Sequence, residues 1–315
     1  MEFISEVGIV MKSLFEKIHT PNFRWSDFFL FAMLSGLGLT ILGQLVGDFL
    51  MNVCLGSLQG SMAEFLKMYL SFIGIWIVTL AVMALFRRNR PMLKTLGPAL
   101  TNNRISFFLL GLLIGFLMNG FCILIAWLNK DIALSFDSFQ PLPLIFLLVA
   151  VLVQSGAEEL IGRCYGYYRI TRGYRSKWFA IFVNSVFFAS LHGGNPGISA
   201  LALIELFVTG LLYGACVRYF DSLWIVIGMH TMWNYTQSII FGLPNSGIVS
   251  LYSIFHLDAA NARQSFAYGP QFGIEGSVLS LTLHILSLIA VIYIGEKKQI
   301  KAYDPWIELE TGTVQ

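Results

Sequence analysis

Charge is what this chain has least of. Only 12% of its 315 residues are Asp, Glu, Lys or Arg, against about 25% in an ordinary soluble domain. Hydrophobic residues make up 56% of the chain and the mean hydropathy is +0.71. That deficit excludes a soluble globular enzyme and points to a chain dissolved in lipid. The net charge of +2 leaves no basic surplus for a nucleic acid partner. Cysteine is also scarce: Cys54, Cys122, Cys164 and Cys216 form no CxxC pair and lie in or beside apolar runs. A disulfide scaffold or cysteine metal knuckle is excluded, and the four read as small core hydrophobes. Also missing are a cleavable signal pattern at the N-terminus, a low-complexity linker and any repeat of 20–50 residues.

What is present is a series of apolar runs of bilayer length, about 20 residues each. They fall at roughly 28–50, 68–86, 105–128, 142–170, 178–195, 199–219, 223–242 and 274–295. The expected fold is therefore all-α: a polytopic membrane helix bundle of about eight spans. Ahead of them, Phe3, Ile4, Val7, Met11, Leu14, Phe15 and Ile18 recur at helical spacing among Glu2, Glu6, Lys12 and Lys17. That pattern suits an amphipathic helix, either in the membrane interface or on the protein's own surface. The expected organisation is thus an N-terminal segment 1–27, a membrane domain 28–298 and a tail 299–315. Eight crossings from a cytoplasmic N-terminus place sixteen Lys and Arg inside and only Lys67, Lys130 and Arg263 outside, leaving Arg163 within a span. This asymmetry predicts that both termini face the cytoplasm.

Ionisable side chains inside such spans are costly, about 3 kcal/mol each even on the lenient insertion scale, and so mark function or pairing. In SGAEELIGRCYG, Glu159 stands four residues before Arg163, the favourable order for an intrahelical ion pair. Glu158 points about 100° away around the helix, toward Gly162 and Gly166, and is left without such a partner. A partly desolvated carboxylate of this kind is a candidate general base. The same i, i+4 spacing recurs in Phe188 with His192 and in His230 with Asn234. Each histidine alone reads as packing; two with an asparagine and an unpaired glutamate on separate helices read as a site. His284, mid-span in the last helix and without polar company of that kind, reads as hydrogen-bonded packing. Glu205, alone in its span, reads as a structural hydrogen bond.

These three stretches, Glu158-Glu159-Leu-Ile-Gly-Arg163, Phe188-Ala-Ser-Leu-His192 and His230-Thr-Met-Trp-Asn234, match EExxxR, FxxxH and HxxxN in order. In them the chain resembles the CPBP family of CAAX prenyl protease and bacteriocin-processing intramembrane proteases, in its bacterial-type form. The resemblance covers about 142–245. One departure is Gly162 and Cys164 on either side of the arginine, where an aromatic and a glycine are frequent. The resemblance implies hydrolysis of a peptide bond in a membrane-associated protein or peptide, in the bilayer of a bacterial plasma membrane. Glu158 with His192 would activate water, and His230 with Asn234 would hold the oxyanion. Glu159, Arg163 and Phe188 would support them. Glu158, His192 and His230 could instead hold zinc with one position open. HExxH is absent, and the metal-free reading is preferred, with no cofactor. A non-proteolytic bacteriocin-immunity or binding protein of the same fold, and a proton-coupled transporter, are the alternative functions.

Overall fold

The computed structural model describes residues 12–307. Of the N-terminal amphipathic pattern, Phe3, Ile4, Val7 and Met11 lie outside the described residues, and 12–18 are helical. The chain continues as α1 (Phe29–Leu55), α2 (Ser61–Leu70), α3 (Ile73–Leu85), α4 (Ile105–Leu128), α5 (Pro141–Glu159), α6 (Tyr167–Gly173), α7 (Lys177–Leu191), α8 (Ala200–Phe220), α9 (Trp224–Tyr235) and α10 (Val278–Lys298). The described sheet is one antiparallel pair, β1 (Leu134–Phe136) with β2 (Phe255–Leu257), joining two loops at one end of the bundle. The helical class follows from composition: in lipid, only helices and closed barrels satisfy every backbone N–H and C=O. The apolar side chains that face outward, such as Leu34, Phe49, Leu113, Ile145 and Ile289, form the surface offered to acyl chains.

Among the described residues, six stretches are long and apolar enough to span: Phe29–Leu55, Met62–Leu85, Ile105–Leu128, Pro141–Gly173, Ala200–Phe220 and Val278–Lys298. Two of the eight expected runs form shorter helices. The run at 178–195 stops as α7 after 15 residues, because His192 ends the helix before Gly193, Gly194 and Pro196. The run at 223–242 makes α9 of 12 residues, prolonged by the five-residue π-turn Thr236–Ile240. The second run begins earlier than expected and bends at Ser71 and Phe72 between α2 and α3. The last begins at Val278 rather than near 274, because the Ser277 hydroxyl accepts the Ser280 N–H and starts the helix there. Cys122, Cys164 and Cys216 are buried as expected; Cys54 is exposed on the outward face of α1.

Small residues set the closest helix contacts. A Cβ on Gly111 or Gly115 of α4 would come within 2.2 or 2.3 Å of the carbonyl oxygens of Ile225 and Met229 on α9. Glycine at four-residue spacing therefore lets the two backbones touch, the usual means of joining helices in lipid. The start of α9 is fixed from another segment. The Asn103 side-chain oxygen accepts the N–H groups of Leu223 (2.7 Å) and Trp224 (3.1 Å), which a helix leaves unsatisfied at its first turn.

At the end of the bundle bearing most of the Lys and Arg, Asp27 is fully buried and accepts from Arg88 (3.1 Å) and Arg172 (2.6 Å). Arg172 also donates to the Arg88 carbonyl and lies over the Trp306 ring, 5.1 Å from its centroid. This cluster ties the entry to α1, the loop after α3, the end of α6 and the C-terminal segment into one plate. At the opposite end, segment 242–277 folds back across the helix ends.

Candidate active site

Glu158 and Glu159 are the last two residues of α5, and the helix then widens into a π-turn over Leu160–Gly166. Single π-turns inside α-helices occur often at functional sites. The extra residue carries the Gly162 carbonyl into a π-type bond with the Tyr167 N–H, and the Asn184 amide of α7 supplies a second donor at 2.9 Å. At about 1.5 Å per residue, Glu158 lies roughly 26 Å from Pro141 and 22 Å from Gly173, near the middle of its span.

The expected ion pair is present. Arg163 Nη1 donates to Glu159 Oε1 at 3.1 Å, and both side chains are fully buried. The guanidinium lies 4.4 Å from the Phe188 ring centroid and 5.3 Å from that of Tyr213, so aromatic faces supply what water would. Glu159 does more than pair with arginine: its Oε1 is also 2.8 Å from His230 Nδ1. An arginine-paired carboxylate only accepts, so Nδ1 carries a proton there and Nε2 faces the other way. His192 is fixed by the same logic: Nδ1 is 2.9 Å from the Phe188 carbonyl oxygen, a pure acceptor, which leaves Nε2 free.

Both free Nε2 atoms meet the second glutamate. Glu158 Oε2 lies 3.7 Å from His230 Nε2 and 3.9 Å from His192 Nε2. That oxygen is buried and has no hydrogen-bond partner, although the Glu158 and His192 side chains as a whole stay 18% and 14% accessible. The space around them is a cavity of about 260 Å³ whose lining includes Glu158, His192, His230 and Asn234. Residues from α5, α7 and α9 therefore converge on one volume. It lies beside the exposed loop that carries Gly193 and Gly194. Among the described residues, no group of three or more His, Cys, Asp or Glu is arranged to hold a metal ion.

The surroundings add to the sequence reading in three places. Glu158 has a partner after all, one helical turn earlier: Gln154 Nε2 donates to its Oε1 at 2.5 Å. Gln154 Oε1 in turn accepts from Asn234 Nδ2 at 3.2 Å, so it links the first motif to the third. Second, His284 is not without polar company. Its Nδ1 is 2.9 Å from the Ser280 carbonyl and 3.1 Å from Glu205 Oε1, and both side chains reach the cavity wall. Third, Asn245 and Glu275, distant in sequence, also line the cavity. The i, i+4 rule applied backward from Glu158 finds Gln154; no local pattern marks Asn245 or Glu275.

Comparison with known proteins agrees with the motifs. Residues 140–236 match the family model described as type II CAAX prenyl endopeptidase Rce1-like. The match spans roughly a third of the chain and contains the convergent residues of α5, α7 and α9. The resemblance to the CPBP family is thereby shown for this core. No curated protein and no solved structure matches the chain.

Proposed function

We propose that the protein is an intramembrane endopeptidase that hydrolyses a peptide bond of a membrane-associated protein or peptide without a metal. The observation that carries this reading is the convergence on Glu158 Oε2, a partnerless carboxylate oxygen facing two imidazole Nε2 atoms across a cavity. One water making two hydrogen bonds of about 2.8 Å spans the 3.9 Å between Glu158 Oε2 and His192 Nε2. With a hydrogen given to each acceptor, its lone pair is directed at a substrate carbonyl. As the oxygen attacks the carbonyl carbon, its proton passes to Glu158. The C–N bond then breaks, and that proton goes to the leaving amine.

The charge that develops on the carbonyl oxygen needs donors already in place. Asn234 Nδ2 supplies one. His230 supplies another from Nε2 when doubly protonated, a state supported by a carboxylate at each of its nitrogens. The buried Glu159–Arg163 pair keeps the His230 ring oriented and takes no part in bond changes. The charge asymmetry of the loops supports a cytoplasmic position for the end bearing Arg88 and Arg172, with segment 242–277 on the other side.

The test compares the membrane peptidomes of cells producing wild type or Glu158→Gln, alongside metal analysis of both purified proteins. Peptides that vanish in the variant, without a stoichiometric metal in the wild type, support the reading. Identical peptidomes overturn the protease, and a stoichiometric metal lost on His192→Ala overturns the metal-free chemistry.

A further inference from the structure

An asparagine can hold an oxyanion only if its amide presents nitrogen, not oxygen, to the substrate. The two ends of an amide are nearly the same size, so packing alone does not choose between them. Something must hold the oxygen end.

Five side chains form a continuous hydrogen-bonded row. Asn245 Nδ2 donates to Glu275 Oε1 (3.1 Å) and to Asn234 Oδ1 (3.2 Å). Asn234 Nδ2 donates to Gln154 Oε1 (3.2 Å), and Gln154 Nε2 donates to Glu158 Oε1 (2.5 Å). Every member except Glu158 is less than 9% exposed. A carboxylate stands at each end, and an ionised carboxylate only accepts. At the Glu158 end this requires the nitrogen of Gln154; at the Glu275 end it requires the nitrogen of Asn245. The three amides between are then left with one consistent direction, in which Asn234 Oδ1 is held by Asn245. One hydrogen of Asn234 Nδ2 meets Gln154 at 3.2 Å, and the other lies toward the Ser155 hydroxyl at 3.4 Å, a long contact that a developing oxyanion in the cavity would replace.

Glu275 is itself fixed by four donors. Oε1 accepts from Trp233 Nε1 (3.1 Å) and Asn245; Oε2 accepts from the Ser246 N–H (2.6 Å) and the Ser246 hydroxyl (3.0 Å). Asn245 and Glu275 sit on segment 242–277, beyond residues 140–236 of the family match.

We infer that Asn245 and Glu275 are positioning residues that set the polarity of the Asn234 amide, so that segment 242–277 is part of the catalytic apparatus. Neither touches the reacting atoms. The inference rests on the peptidase reading, yet the row exists apart from it, and its test has one readout for each.

The decisive substitution is Asn245→Asp, which keeps size and shape but replaces the donor by an acceptor. It sets an acceptor against Asn234 Oδ1, so the amide is either turned against Gln154 or pushed out of the row, and its donor is lost from where the oxyanion forms. Asn245→Ser keeps one hydroxyl donor for Asn234 and serves as the conservative variant. Purified protein in liposomes is assayed with a library of fluorescence-quenched apolar peptides, using a member cleaved by wild type and spared by Glu158→Gln. Misplacing a catalytic group by about 1 Å costs up to ~100-fold, so Asn245→Asp is expected to lower kcat ~10- to 100-fold with KM nearly unchanged. Asn245→Ser is expected to retain most of kcat. In an Asn234→Ala background, Asn245→Asp is expected to have no further effect on kcat. An undiminished effect there, or a change confined to KM, overturns the inference.

The same proteins give a second readout without substrate. Melting-temperature losses for Asn245→Asp and Asn234→Ala fail to add if the two share one network. Additive losses overturn the row, whereas absence of any Glu158-dependent cleavage overturns the peptidase reading alone.

Discussion

Two adjacent glutamates in one span carry different chemical environments, and the difference is set by what each can reach. Glu159 is fully buried against Arg163 and holds His230 Nδ1. Glu158 keeps one oxygen on Gln154 and leaves the other facing the cavity with no partner. Removing one member of a buried ion pair leaves a charge without compensation, which typically destabilises by about 3–5 kcal/mol. Arg163→Met is therefore expected to lower the thermal midpoint in detergent by several degrees. It should also cost activity, because Glu159 no longer holds the His230 ring in place. Arg163→Lys is expected to recover only part of the loss, since an ammonium lacks the planar face that lies over Phe188. A midpoint unchanged in Arg163→Met would show that the pair does not stabilise the fold.

At the scale of elements, the site depends on how closely α9 approaches its neighbours. The glycines of α4 allow backbone contact with Ile225 and Met229, the second of these next to His230. Gly115→Leu is expected to drive α4 and α9 apart and reduce both thermal stability and cleavage. A wild-type melting curve for that variant would refute the close-packing account. The Asn103 cap is smaller in effect: Asn103→Ala should cost about 1 kcal/mol, read as a lower midpoint with unchanged KM.

The same elements explain how far the sequence could be read. The motif residues, the Glu159–Arg163 pair and the helical class were all legible, because they rest on spacing along single helices and on overall hydropathy. The stop of α7 before Gly193, Gly194 and Pro196 and the Ser277 cap of α10 are local signals that a hydropathy run of bilayer length overrides. The π-turn after Glu159 was not legible, since it depends on a tertiary partner. Asn184 beneath the Gly162 carbonyl is one such partner. Glu205 with His284, and Asn245 with Glu275, were hidden for the same reason: their partners are 30 to 79 residues away in the chain.

On the scale of the whole molecule, the cavity lies between two closures. At one end Asp27 gathers Arg88 and Arg172 and, through Arg172, Trp306. At the other, segment 242–277 is tied to the helices by Glu275 and by the β1–β2 pair. Asp27→Asn is expected to lower the thermal midpoint sharply, because two guanidinium groups then lose their carboxylate, while KM stays unchanged in the protein that remains folded. A loss of substrate binding without a loss of stability would instead place that plate in the substrate path.

The central claim is that Glu158 performs the chemistry and Glu159 supports it. Its most direct measurement is the cleavage rate of one substrate by purified wild type, Glu158→Gln and Glu159→Gln in liposomes, with melting curves for all three. Loss of a general base costs about 10²- to 10⁴-fold. The account predicts a loss of that size for Glu158→Gln at an unchanged midpoint. For Glu159→Gln it predicts a lower midpoint with residual cleavage. Wild-type cleavage by a folded Glu158→Gln protein would contradict it.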